Sequence, residues 1–193
     1  NFDPKKLILI EQNELSLYNL SKELDKLNKN NIEIKSFLGD TTEISFIDNL
    51  FKKENIKIIF HAAAYKHVPI VENNPLVGLY NNIVSTHVLA EASKKYSLSH
   101  FVLISSDKAV RPTNIMGCSK RVSELVIQAY SQIKSETKFS MVRFGNVIGS
   151  SGSVVPLFIE QISKGGPITL THPEITRYFM SIVEACQLVL QVV

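Results

Sequence analysis

The chain has no tryptophan, only two cysteines and no apolar run near the length of a membrane span. Each shortage excludes something. Cys118 and Cys186 lie far apart and outside any CxxC pattern, so they make neither a disulfide framework nor a recognisable zinc site. Small, buried apolar side chains are the simpler expectation for them. Without about 18 consecutive apolar residues, no transmembrane helix is expected. The opening Asn-Phe-Asp-Pro lacks a signal-peptide pattern, so a cytoplasmic placement is expected. Charge of one sign is also scarce. Lys plus Arg number 21 and Asp plus Glu 18, leaving +3, too little to argue for a nucleic-acid partner and compatible with an anionic small molecule. The 193 residues show no internal repeat and no linker, and they suffice for one domain's core.

What the sequence does have is alternation. Lys6 to Glu11, Ile32 to Leu38, Lys57 to Ala64, Phe101 to Ser106 and Phe139 to Phe144 read as five short apolar strands. Between them lie amphipathic stretches: Leu15 to Leu27, a helix capped at Thr41 or Thr42 and reaching Glu54, a long helix from Asn73 to Tyr96, and Asn114 to Lys134. Continuous rather than alternating apolar strands imply a parallel sheet covered on both faces. The expected fold is α/β, a Rossmann-like doubly wound parallel sheet with helices on both faces. After Phe144 come a Gly/Ser loop at Gly145–Gly152, a helix at Val154–Ser163, extended pieces at Ile168–Leu170 and Thr176–Met180, and a last helix from Ile182.

In such a sheet, ligands bind outside the carboxyl ends of the strands. Those ends carry Glu11, Asp40, Ala62-Ala63-Ala64, Ser105-Ser106-Asp107-Lys108 and Gly145-Asn146. A carboxylate can accept both hydroxyls of a ribose, which suits Glu11; a helix-initiating acid fits its position equally well. Asp40 could bind an adenine amino group or cap the next helix. Three alanines let a flat ligand approach the backbone. Met116 and Lys120, four apart, share a helix face, where Lys120 could bond a ribose. Asp107 and Lys108 set an acid beside a base. On spacing alone, a solvated Asp–Lys pair and a core Met explain these residues as simply. The glycines at 145, 149 and 152 follow the fifth strand, not the first, so they are not a dinucleotide loop, although Asn146 and nearby backbone N–H groups could hold a phosphate. His61 reads as structural and His67 beside Lys66 as a contact candidate; Arg177 could pair with a phosphate bidentately, and an ordinary surface arginine explains it as simply. His87, His100 and His172 lack neighbours at ligand spacing, and no metal is expected.

The runs HAAAYKHVPIVENNP (61–75), SSDKAVRPTNIMGCSKR (105–121) and RFGNVIGSSGSVVPLF (143–158) resemble the extended short-chain dehydrogenase/reductases. Within them they resemble the nucleotide-sugar 4,6-dehydratases of bacterial polysaccharide and glycoprotein synthesis, the branch acting on UDP-N-acetylglucosamine. IEQNELSLYNL (10–20) and THPEITRYFMSIVEACQLVL (171–190) fit the same branch. The resemblance implies NAD as a cofactor regenerated in each turnover. It implies a reaction that oxidises the sugar at carbon 4 and removes water across carbons 5 and 6. Glu11 would hold the adenosine ribose, Asp40 the adenine, and Ala62, Ala63 and Ala64 the cofactor cleft. Asn82 matches an asparagine near the family's active site, and Lys120 would bind the nicotinamide ribose. Asp107 would be the general acid and Lys108 the base at carbon 5, with Ser106 beside them. Lys66, His67, Asn146 and Arg177 would lie near the UDP-sugar. A homo-oligomer is expected with it.

Two departures stand out. Met116 occupies the position where most of the superfamily has a proton-transferring Tyr; one dehydratase branch also carries Met there, and the change disfavours a simple epimerase. The family's first strand and its Gly-rich pyrophosphate loop are not found. The expected division is therefore an incomplete NAD-binding Rossmann-like domain at 1–147 and a partial substrate-binding region at 148–193. The chain would be part of a longer enzyme, free or as the cytoplasmic domain of a membrane-anchored parent. Two other readings remain open: a non-catalytic sugar-nucleotide-binding remnant, and an NAD-dependent sugar-nucleotide epimerase.

Overall fold

The computed structural model describes residues 4–150, 154–170, 172–174 and 176–193. Strand β1 (Lys6–Glu11) leads through helix α1 (Glu14–Leu27) to β2 (Glu33–Leu38), and the two strands pair in parallel. Asn13 starts α1 by accepting a hydrogen bond from Ser16 N at 2.9 Å. Helix α2 (Ile44–Lys53) returns the chain to β3 (Ile58–His61). Then follow α3 (Val68–Asn73), α4 (Pro75–Leu79), a π-helical turn at Tyr80–Val84, α5 (Ser85–Lys95) and β4 (His100–Ser106). A 3-10 turn at Asp107–Ala109 precedes α6 (Ile115–Gln132) and β5 (Lys138–Phe144). The last elements are β6 (Asn146–Val147), α7 (Val154–Ser163), β7 (Phe179–Met180) and α8 (Ile182–Gln191).

All strand pairs are parallel, as the βα alternation requires. The expected single sheet is divided, however: β1–β2 is one ladder, β3–β4–β5 a second, and β6–β7 a third. Long side chains span the gap between β1 and β3: Lys6 Nζ bonds Glu54 at 2.8 Å ahead of β3, and Gln12 Nε2 bonds the Tyr65 hydroxyl at 3.1 Å beyond it. No ladder joins those two strands. Helices lie on both faces. Phe37 of β2 packs against the main core, while its neighbour Ser36 bonds Ser21 of α1 at 2.7 Å, on the opposite side. The core fills the space between β4 and helices α2, α5 and α6, with Ile47, Phe51, Leu89, Phe101, Leu103 and Ile127 buried. Each such side chain contributes about 1.5–3 kcal/mol relative to exposure.

Several expectations are corrected. Neither Thr41 nor Thr42 caps α2. Asp40 Oδ1 accepts from Thr42 N at 2.8 Å, so the chain turns there and the helix begins after Glu43. The long helix expected at 73–96 forms as one continuous helical run from Pro75 to Lys95, through the π-helical turn, and starts two residues later than expected. Asn74, ahead of Pro75, sits outside the helical region at φ −135°, ψ 59°, as the proline ring demands. The third strand ends at His61, which leaves the three alanines as irregular chain. β1 is half-buried and Phe60 is exposed, so burial on both faces holds for β4 but not for the strands flanking the division. Both cysteines are exposed rather than buried. Gly152, the last glycine of the Gly/Ser loop, lies outside the described residues. No described helix is long and apolar enough to cross a membrane.

Candidate active site

The carboxyl ends of β3, β4 and β5 open into a cavity of about 390 Å³. Its walls bring together residues from several separate segments. Ala62, Ala64, Lys66 and His67 come from the chain after β3, Ser106 and Lys108 from the end of β4, and Met116 and Lys120 from α6. Asn146 follows β5, and Arg177 precedes β7. Glu11, Asp40, Ala63, Asn82 and Asp107 are not among the lining residues. Glu11 Oε1 accepts from Asn13 N at 2.9 Å, so one carboxylate oxygen already serves the start of α1.

At the end of β4, backbone geometry builds an acid–base pair. Ser106 Oγ accepts from Lys108 N at 3.2 Å, which starts the 3-10 turn, and donates to Asp107 Oδ1 at 3.0 Å. Lys108 Nζ reaches the same Oδ1 at 3.0 Å. The Asp107 side chain is 49% exposed and that of Lys108 33%. The turn can press against α6 only because residue 117 is glycine. A Cβ there would lie 2.3 Å from the Lys108 carbonyl oxygen. Asn114 Oδ1 caps α6 through Gly117 N at 2.8 Å, and the Glu72 carboxylate of α3 accepts from Ile115 N. These contacts fix Met116, which is 4% exposed, in the cavity wall.

Lys120 is the unusual group. It is 7% exposed, lines the cavity, and has no hydrogen bond or ion pair among the described residues. Burial pushes its amine down to about 8, while the negative charge of Glu124 works the other way. An unpartnered ammonium aimed into a small cavity, beside alanines that keep the wall flat, fits the hydroxyls of a ribose. His61 is held near 3 by its burial, with the Lys120 charge adding to the effect.

Asn82 serves the cleft from behind. Its amide is spent within the protein: Oδ1 accepts from Tyr65 N at 2.7 Å, and Nδ2 donates to Tyr65 O at 3.0 Å and Ser119 Oγ at 2.9 Å. It shapes the Tyr65–His67 segment instead of offering a free contact. The π-helical turn leaves its carbonyl open to accept from Thr86 Oγ1 at 2.8 Å and Ser123 Oγ at 2.9 Å. With the Thr86 proton committed there, His61 Nε2, 3.0 Å away, is the donor to Thr86.

Sequence reasoning missed Glu124 and Arg143. Glu124 is 1% exposed on α6, where it accepts from Ser105 Oγ at 2.7 Å, Arg121 Nη1 at 3.0 Å, and Arg143 Nε and Nη2 at 2.7 and 2.6 Å. Burial works to raise this carboxyl, but the bonds from Arg143, Ser105 and Arg121 outweigh it and hold it at about 2. The available signal was a charged residue at i+4 from Lys120 on a face that also carries Met116. No group of three or more metal-ligating side chains forms among the described residues.

The chain is 49% identical over 190 residues to the capsular polysaccharide biosynthesis protein CapD of Staphylococcus aureus, covering 98% of this chain and 32% of that protein. It is 38% identical over 163 residues to a UDP-glucose 4-epimerase of Rickettsia bellii, covering 83% of this chain and 47% of that one. The chain thus spans about a third to a half of these relatives. DesIV of Streptomyces venezuelae, a dTDP-glucose 4,6-dehydratase solved with NAD bound, superposes with a TM-score of 0.79 at 18% identity, over 95% of this chain and 61% of that one. That likeness establishes the Rossmann-like fold. A single family profile, described as polysaccharide biosynthesis protein, matches residues 1–193. With the whole length matched, the chain belongs to the polysaccharide biosynthesis protein family.

Proposed function

We propose that this chain carries the catalytic cluster of an NAD-dependent UDP-N-acetylhexosamine 4,6-dehydratase acting in surface polysaccharide synthesis. The observation that carries the reading is the convergence of Lys108, Met116 and Lys120 on one cavity, with Asp107 bonded to Lys108 at its rim. Bound NAD supplies a reversible hydride acceptor, so the sugar is oxidised and reduced with no net change in the cofactor. Lys120 would hold the nicotinamide ribose, Ala62 and Ala64 the flat ring, and Glu11 and Asp40 the adenosine end. Asp107 would protonate the departing carbon 6 hydroxyl while Lys108 takes the carbon 5 proton; water leaves and one double bond forms. Ser106, bonded to both, orients the pair. Lys66, His67, Asn146 and Arg177 would bind the UDP-sugar.

The Rickettsia relative favours a second reading, an epimerase, which Met116 opposes because thioether sulfur transfers no proton. The test is mass spectrometry of UDP-N-acetylglucosamine incubated with the full-length protein and NAD. A product lighter by one water is expected. An isomer of unchanged mass would establish the epimerase instead. Full turnover by Asp107→Asn would sink the acid role.

A further inference from the structure

One buried carboxylate joins three of the elements that carry the cavity: α6, on which it sits, and β4 and β5, to which it bonds. Glu124 sits on α6, one helical turn beyond Lys120 and two beyond Met116. Its bond to Ser105 reaches β4 immediately before the Ser106–Asp107–Lys108 turn. Its two bonds to Arg143 reach β5 just before Gly145 and Asn146. Ser105 and Arg143 are register partners across the β4–β5 ladder, so the carboxylate straddles the sheet at a single rung.

Stability alone does not explain this choice. Desolvating a carboxylate is costly, and apolar residues of similar volume often hold a helix to a sheet equally well. A carboxylate with four directed bonds supplies what an apolar contact cannot: a fixed distance between the helix bearing Lys120 and the strand ends bearing Asp107 and Asn146. It also places a negative charge one turn from an ammonium that has no other partner among the described residues. The outer partner, Arg121, lies on the same helix and joins no second element.

We propose that Glu124, through Arg143 and Ser105, is the positioning residue that sets Lys120 and the Ser106–Asp107–Lys108 turn at their working separation. The proposal rests on the dehydratase reading for its chemistry, and on the cavity alone for its geometry. Its test uses the full-length protein and two variants, Glu124→Gln and Arg143→Lys. The first keeps the shape and removes the charge; the second keeps the charge and removes the bidentate fork. NAD affinity is read by titration calorimetry. Conversion of UDP-N-acetylglucosamine to any product is read by chromatography, with kcat and KM separated. Circular dichroism gives the folded fraction.

Per folded molecule, Glu124→Gln is expected to weaken NAD binding about tenfold and to lower kcat by ten- to a hundredfold, the scale of a small misplacement of reacting groups. KM for the sugar nucleotide should change less than kcat. Arg143→Lys should move both quantities the same way by a smaller factor. If Glu124→Gln fails to fold, Arg143→Lys decides. Folded variants that match the wild type in NAD affinity and kcat overturn the proposal, because a merely structural clamp would change only the folded fraction. A wild-type protein that binds NAD yet converts no UDP-sugar removes the dehydratase reading, and the NAD titration still decides the role of Glu124. A wild-type protein that binds no NAD overturns both.

Discussion

Replacing Lys120 by methionine should make the protein more stable at neutral pH. Burial holds the Lys120 amine at about 8, against 10.5 for a free lysine. Between those values the unfolded chain binds more protons than the folded one, so wild-type stability rises as pH climbs from about 8 to 10.5. At about 1.4 kcal/mol for each pH unit of that gap, the buried ammonium costs the fold on the order of 3 kcal/mol at pH 7. Methionine has similar length, fills the same space and carries no charge to desolvate. Part of the gain is forfeited because Glu124 loses a nearby cation, yet all four of its hydrogen bonds remain. Lys120→Met should therefore raise the denaturation midpoint at pH 7, by several degrees at the scale of a domain of this size. The difference between the two proteins should shrink to under about 1 kcal/mol by pH 10.5, where the wild-type lysine is neutral in the folded state and half neutral in the unfolded one. The assay is thermal denaturation followed by circular dichroism at a series of pH values from 7 to 10.5. A variant that is no more stable at pH 7, or that retains the wild-type slope, would refute the account of Lys120 as an unpartnered buried charge. The same variant should lose NAD affinity, which would mark the stability cost as one tied to binding.

Other predictions follow from the same geometry. His61, held near 3 by burial against 6.5 when free, must gain a proton as the protein acid-unfolds, so stability should fall as pH drops below 6.5. The loss reaches about 4 kcal/mol by pH 3, and His61→Gln, which keeps a donor toward Thr86, should show a flatter acid profile in urea titrations. Gly117→Ala should push the Asp107–Ala109 turn away from α6, because the added Cβ would meet the Lys108 carbonyl at 2.3 Å. A fall in sugar-nucleotide turnover larger than the fall in stability is expected, and equal turnover would show that the turn has room to shift. Ile127→Ala, which empties a fully buried site in the core, should cost about 2–5 kcal/mol in denaturant titrations and leave NAD affinity per folded molecule unchanged.

The alternation of strands and helices was legible because a parallel sheet writes itself into continuous apolar runs. β1, β2, β4 and β5 fall within a residue of where those runs place them. The rim at the strand ends was legible for the same reason, and Ser106, Lys108, Met116, Lys120 and Asn146 do meet around one cavity. What the sequence did not disclose depends on contacts between distant segments. Composition cannot show that Gly117 must lack a Cβ for the sake of Lys108, nor that Glu124 of α6 meets Arg143 of β5. Pro75 marked the start of the long helix, and the structure begins it there; the short helix α3 ahead of it was not anticipated. The π-helical turn had no signal in the local sequence; the Asn82 within it bonds Tyr65, Thr86 and Ser119, all outside the turn.

Helix α6 shows how the fold accommodates a polar site. Its first turns bury Met116, Ser119, Lys120, Ser123 and Glu124, a sequence that would make a poor core segment by itself. Its later turns bury Ile127 and Tyr130, which join the cluster formed with α2, α5 and β4. The helix is thus anchored at one end by apolar packing and positioned at the other by hydrogen bonds. Apolar packing is strong but tolerant of small slides, because dispersion and burial have little directional preference. Hydrogen bonds to a buried carboxylate are directional and lose most of their value when stretched. The two kinds of contact therefore do different jobs along one element: the first keeps the helix on the sheet, and the second sets where its lysine stands. On this argument the polar half of α6 is retained for placement, and its cost is borne by the apolar half.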